Sequence, residues 1–172
     1  MSRPDSGFLG ALVVLARAGV DFVVVGTGGI NFYASDASQA VETDDVDVFL
    51  RADVANLGRA LESLRAAGYE IEARGEPFLD SDEPILRNVI RAGASLRAVD
   101  ETGARVDLML SGGGFVFSEL AADASIFRLG EVEVRVGNLA RLIRSKELAG
   151  RPKDIEFLRM FAARLRPEID GD

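Results

Sequence analysis

The sequence predicts one α/β domain closed by a pair of C-terminal helices. Three observations carry this prediction: short β-branched runs alternate with segments of helical periodicity, glycines fall where those segments end, and no Pro/Gly/Ser-rich linker divides the chain. At 172 residues the chain has the length of about one domain, and 48% hydrophobic content supplies enough apolar side chain for a core. The domain is expected to span 1–172, with its core over about 20–136 and the helical tail over about 138–166.

Residues 8–18 carry Leu9, Leu12, Val13 and Leu15 at helical spacing and end at Gly19, which predicts an amphipathic helix with a glycine stop. Residues 20–25 change period to a near-continuous β-branched and aromatic run, as suits a strand buried on both faces. Gly26-Thr27-Gly28-Gly29 then reads as a tight turn, followed by the start of a short helix over 30–33 and a small polar loop over 34–39. A second strand is expected over 45–50. Asp53 is placed to cap a helix with Leu57, Leu61 and Leu64 on its apolar side, stopped by Gly68. Strand resumes over 69–73, and residues 75–84, rich in Asp and Pro, read as a surface loop.

Residues 95–99 and 105–110 predict two strands joined as a hairpin through Asp100-Glu101-Thr102-Gly103. Ser111-Gly112-Gly113-Gly114 breaks the pattern. A weak helix over 117–122 and a small hairpin over 126–136, turning near Gly130, follow it. Asn138 caps a helix over 139–149, Gly150 stops it, and Pro152 sits near the start of a last helix reaching 165.

The chain has 20 basic and 28 acidic side chains, a net charge of −8, and neither cysteine nor histidine. Disulfides, thiolate nucleophiles, the usual zinc ligand sets and Ser-His-Asp catalysis are therefore excluded. What remains is chemistry by carboxylates, Lys, Arg, Tyr or an oxygen-held metal. The acidic balance disfavours wrapping a nucleic-acid backbone, though it leaves room for a local basic cleft and a small anionic ligand. No apolar run approaches the ~20 residues that span a bilayer, and the N-terminus lacks a signal-peptide core, so a cytoplasmic protein without membrane contact is expected.

Three features carry candidate chemistry. In Asp45-Val46-Asp47-Val48, strand alternation puts Asp45 and Asp47 on one face and both valines on the buried one. Two like charges held as neighbours suit Mg²⁺ or Mn²⁺, yet the same pattern occurs on solvated faces of ordinary strands. Asp107 lies between apolar residues on a later strand and needs a partner, which a salt bridge to Arg105 would also provide. Gly26-Thr27-Gly28-Gly29 follows a buried strand, where backbone N–H groups can approach a phosphate or glycine can simply satisfy a turn. It is neither a Walker A motif nor a dinucleotide fingerprint.

The order of these features resembles the nucleotidyltransferase fold of the polymerase-beta superfamily, above all its small bacterial members, the minimal nucleotidyltransferases and the abortive-infection toxin-like proteins. The resemblance spans about residues 20–161 and includes Lys146 followed by Arg151-Pro152-Lys153-Asp154, similar to the Lys and Arg-x-Lys-Asp that the toxin-like members carry. It implies a mixed β-sheet of the nucleotidyltransferase type flanked by helices, with Asp45, Asp47 and Asp107 as catalytic metal ligands. It further implies that Gly26, Thr27, Gly28 and Gly29, with Lys146, Arg151 and Lys153, bind the nucleotide. The activity implied is Mg²⁺- or Mn²⁺-dependent transfer of a nucleoside monophosphate from an NTP to a hydroxyl on an RNA end, a protein or a small molecule, with a toxin or antitoxin protein as partner. Thr27 stands where Gly or Ser is usual, and Val41 where many relatives have arginine two positions before Thr43. Val41 motivates an alternative, a catalytically inactive binding partner or antitoxin. A third reading is an acidic interaction module whose aspartates only solvate a strand.

Overall fold

The computed structural model describes residues 7–34 and 45–164, with side chains over 9–34 and 45–160. Val41, Thr43 and Asp44 lie outside the described residues. In chain order the elements are α1 (Gly7–Arg17), β1 (Phe22–Val25), α2 (Gly26–Asn31), β2 (Asp45–Leu50), α3 (Val54–Ala66), β3 (Glu70–Ala73), β4 (Glu76–Pro77) and α4 (Glu83–Ala92). Then come β5 (Leu96–Val99), β6 (Arg105–Met109), α5 (Phe117–Ala122), β7 (Ser125–Leu129), β8 (Val132–Val136), α6 (Leu139–Ala149) and α7 (Pro152–Arg164).

The strands form one sheet in the order β4-β3-β5-β6-β2-β1-β8-β7. It is mixed: β2 runs parallel to β6 and β1 parallel to β8, while the remaining neighbours are antiparallel. The expected α/β fold, with helices flanking a mixed sheet and a closing helical pair, is thus observed. Val46, Val48, Val106 and Leu108 are buried on the central strands, whereas their alternating neighbours Asp45, Asp47, Arg105 and Asp107 are only half-buried. Two faces of different chemistry follow from period-two alternation alone. Helix α1 packs on β6, β8 and α3, while α2 packs on β2 and α6, and α6 on α7.

Local signals account for most boundaries. Asp53 accepts a hydrogen bond from the Asn56 N–H (2.8 Å) and Asn138 from the Ala140 N–H (3.0 Å), so both caps act as the sequence predicts. Two segments differ. Residues 75–84 are more than a loop: β4 pairs back on β3 through Arg74 and Gly75, both at positive φ (54° and 78°), the geometry of a two-residue hairpin turn. Helix α4, most of which covers residues 85–92 where no element was expected, begins with Pro84 in its first turn and ends at Gly93 in the left-handed conformation.

Gly26-Thr27-Gly28-Gly29 is likewise not a turn followed by a helix, because α2 starts at Gly26 itself. Gly26, at φ 70°, swings the chain out of β1. Gly28 and Gly29 let α2 approach its neighbours closely. A Cβ on Gly28 would meet Val46 Cγ2 at 2.9 Å, and one on Gly29 would meet Leu142 Cδ1 at 3.1 Å.

The start of β1 and the end of β2 are tied by Asn56, which is fully buried. Its Oδ1 accepts from the Asp21 N–H (2.8 Å), and its Nδ2 donates to the carbonyls of Asp21 (2.9 Å) and Arg51 (3.0 Å). Truncation would leave these backbone groups without that partner in a closed site. We expect Asn56→Ala to cost about 2–3 kcal/mol in urea unfolding, against near-neutral behaviour for exposed Glu62→Ala.

Candidate functional site

Strand register assembles the site. Asp47 pairs with Val25 on β1 and with Asp107 on β6, and Asp107 pairs with Arg97 on β5, which pairs with Glu72 on β3. One transverse row therefore reads Glu72, Arg97, Asp107, Asp47 and the end of β1. In the neighbouring row Arg105 stands beside Asp45. Cross-strand neighbours interact directly, so each row is an electrostatic unit.

The bases in these rows are unevenly shared. Arg97 Nε donates to Asp107 Oδ1 (2.7 Å), and Arg105 Nη2 lies 4.0 Å from Asp45 Oδ2. The salt-bridge partner of Asp107 is thus Arg97 and not Arg105, the alternative the sequence offered, since residues two apart on a strand share a face without opposing one another, whereas the β5–β6 hairpin sets Arg97 directly opposite. Asp47 has no arginine beside it in its row. It sits against Gly26, where an added Cβ would lie 2.5 Å from Asp47 Oδ2. Burial first, then the charges of Asp107 and Asp45 and a hydrogen bond with Asp107, push the Asp47 carboxyl up to about 7, with Lys146 pulling the other way.

Lys146 comes from the third turn of α6. Its Nζ donates to Thr27 Oγ1 (2.8 Å), lies 3.5 Å from Asp154 Oδ1 and stands 4.8 Å from the centroid of the Phe157 ring. Burial lowers its pKa from the usual lysine value, and Asp154 and Asp47 oppose that shift. Asp154 is fully buried at the start of α7. It accepts from Arg151 Nε (2.6 Å), Arg151 Nη2 (3.2 Å) and the Arg151 backbone N–H (3.3 Å). Burial pushes the Asp154 carboxyl up, but the Arg151 hydrogen bonds and the Lys146 and Arg151 charges outweigh it and hold it below the usual range.

These groups converge on a cleft of about 570 Å³ whose wall includes Gly26, Asp47, Arg97, Asp107, Lys146 and Arg151. Thr27 enters through its contact with Lys146, whereas Asp45 is not among the wall residues and stands two residues before Asp47 on β2, paired with Arg105. Gly28, Gly29 and Lys153 are not part of the wall: both glycines are buried in packing, and Lys153 is exposed. Sequence reasoning passed over Arg97, although the Asp100–Gly103 connection already implied a register that opposes it to Asp107. It quoted Asp154 without a role, since nothing in the sequence marks that acid as buried.

The acids form an all-oxygen donor set, suited to Mg²⁺ or Mn²⁺. The crowding that raises Asp47 is what a cation between Asp47 and Asp107 would relieve, so these two fit. Among the described residues, however, no group of three or more acids is gathered closely enough to hold a metal as it stands. Asp107 faces Arg97 and Asp45 faces Arg105.

No protein-family model matches the chain, and no curated protein matches it. Among solved structures it is similar to an antigenic nucleotidyltransferase-like protein from Paracoccidioides brasiliensis, with 15% identity over 90% of this chain and 74% of that one and a TM-score of 0.49. It is also similar to JHP933 from Helicobacter pylori, with 12% identity over 81% of this chain and 54% of that one and a TM-score of 0.42.

The raised carboxyl gives a pH signature. Between the ordinary Asp value of 3.8 and about 7 the folded protein retains a proton that the unfolded chain releases, so this group's contribution to stability falls as pH rises through that window and is level above it. Without metal, we expect the stability difference between wild type and Asp47→Asn to shift by up to about 4 kcal/mol from about pH 4 to about pH 7, read from urea unfolding. A difference that stays constant with pH would show that Asp47 ionises normally.

Proposed function

We propose that the chain is a nucleotidyltransferase that moves a nucleoside monophosphate from an NTP to a hydroxyl acceptor. The observation that carries this reading is the side-by-side placement of Asp47 and Asp107 in one cleft whose wall also includes Gly26, Lys146 and Arg151. The sequence resemblance to the polymerase-beta superfamily assigns the same residues to such a reaction.

Asp47 and Asp107, with Asp45 beside them, would hold Mg²⁺ or Mn²⁺, which when bound supplies Lewis-acid polarisation of phosphoryl oxygens. The chain's own groups do the rest. Gly26 lacks a side chain where the backbone must come close to a phosphate, and Lys146 and Arg151 offset triphosphate charge. The acceptor oxygen forms a bond to the α-phosphorus while the α–β bridging bond breaks. Pyrophosphate leaves, and Asp107 would take the acceptor's proton. The acceptor is an RNA end, a protein hydroxyl or a small molecule, with the net charge of −8 weighing against a long RNA footprint. A place within a toxin-antitoxin pair belongs to the same proposal.

One observation favours a second reading, an inactive relative that acts as a binding partner or antitoxin: Asp107 is engaged by Arg97. Incubation with Mg²⁺ or Mn²⁺, α-labelled NTPs and pools of RNA, protein and small hydroxyl compounds separates the two. Transfer of label with pyrophosphate release supports the enzyme, and nucleotide binding without either supports the partner. In the active case Asp47→Asn and Asp107→Asn should each lower transfer about 100-fold or more while circular dichroism stays native. Near-wild-type transfer in either variant would remove the assignment.

A further inference from the structure

The loop between β6 and α5 has no part in the chemistry above, yet it forms one wall of the same cleft. Gly112, Gly113 and Gly114 all take positive φ (98°, 68° and 75°), a path that residues with a side chain rarely follow. The loop is pinned from within and from outside. The Phe115 N–H donates to the Gly112 carbonyl (3.2 Å), and Ser145 Oγ on α6 donates to the Gly113 carbonyl (2.7 Å). A Cβ on Gly113 would meet the Phe115 ring at 2.8 Å, so the glycine leaves the ring its room. On another side the ring meets buried Phe49 edge-on, with centroids 5.9 Å apart and planes at 82°.

Phe115 is thereby fixed, yet it still lines the cleft together with Met109. This wall is apolar, in contrast to the wall of Asp47, Lys146 and Arg151. One helix sets both: Ser145 holds the glycine loop, and the next residue, Lys146, reaches Thr27. A nucleoside triphosphate has a matching division, a planar base with a stackable aromatic face at one end and a polyanion at the other.

We propose that Phe115 is the nucleobase platform of this cleft, with the base lying on the wall of Phe115 and Met109 while the triphosphate runs toward Lys146 and Arg151. The assignment rests on the nucleotide reading above and deepens it. Stacking on an aromatic ring is available to every base, so the platform secures the nucleoside without choosing among the four.

Calorimetric titration with Mg-ATP and with Mg-tripolyphosphate, which has the charge but no base, tests the assignment. Wild type is expected to bind Mg-ATP about tenfold more tightly than Mg-tripolyphosphate. Phe115→Leu keeps apolar bulk without the ring, and should lose that preference while binding Mg-tripolyphosphate as before. Ser145→Ala leaves the ring but releases the loop, and should show the same pattern more weakly. Lys146→Ala should weaken both ligands together. Equal wild-type affinity for the two ligands, or an unchanged preference in Phe115→Leu, would overturn the platform while leaving nucleotide binding intact. If wild type binds neither ligand, the nucleotide reading itself falls and the platform with it.

Discussion

The parallel register of β2 against β6 is the constraint on which the site depends, because it sets Asp47 beside Asp107. The pairing is costly for two carboxylates and is imposed from the other face of the sheet. Val46 and Val48 on β2 and Val106 and Leu108 on β6 must stay in the core. A slip of β2 by one residue would turn Asp45 and Asp47 into the core and expose Val46 and Val48. Hydrophobic burial therefore holds the acids together, and burial of Asp47 first, then the charges of Asp107 and Asp45, push its carboxyl up.

The helical tail answers that repulsion from outside the sheet. Lys146 is half-buried, a poor place for a lone ammonium, and it is kept there by Thr27, Phe157 and above all Asp154. Asp154 in turn is wholly buried and is tolerated because Arg151 donates to it through both side chain and backbone. Sheet and tail are one electrostatic structure: the charge of Asp47 acts on both Lys146 and Arg151, and removing Asp154 would loosen Lys146 from α2.

Elements whose signals are local were legible in the sequence: the caps Asp53 and Asn138, the stop at Gly150 and the alternation of Asp45 and Asp47 each involve neighbours a few residues apart. Short β4 was obscured because a run of Asp, Ser and Pro describes average polarity, not the two positive-φ residues, Arg74 and Gly75, that close a hairpin. The glycines after β1 were misjudged for a related reason. Their spacing is compatible with a turn, and only the proximity of Val46 and Leu142 shows that a helix needs the room. Arg97 and Asp154 were hidden differently, since their importance lies in partners and burial that no local pattern records.

The electrostatics of the cleft differ from those of the whole chain. Its wall holds three acids, Asp47, Asp107 and Asp154, against three bases, Arg97, Lys146 and Arg151, whereas the chain carries −8. Every base is already engaged: Arg97 with Asp107, and Lys146 and Arg151 with Asp154. On the proposed reading an arriving triphosphate must bring cations with it or draw a base from its acid. The Asp154 group is the wrong one to break, because a fully buried carboxylate would be left without its charge partners. The Arg97 and Asp107 side chains are 42% and 23% exposed, and water can compensate both. The pair whose charges water can compensate is therefore the one across the sheet, whereas Lys146 and Arg151 keep Asp154 as their partner and act on an arriving phosphate through their field.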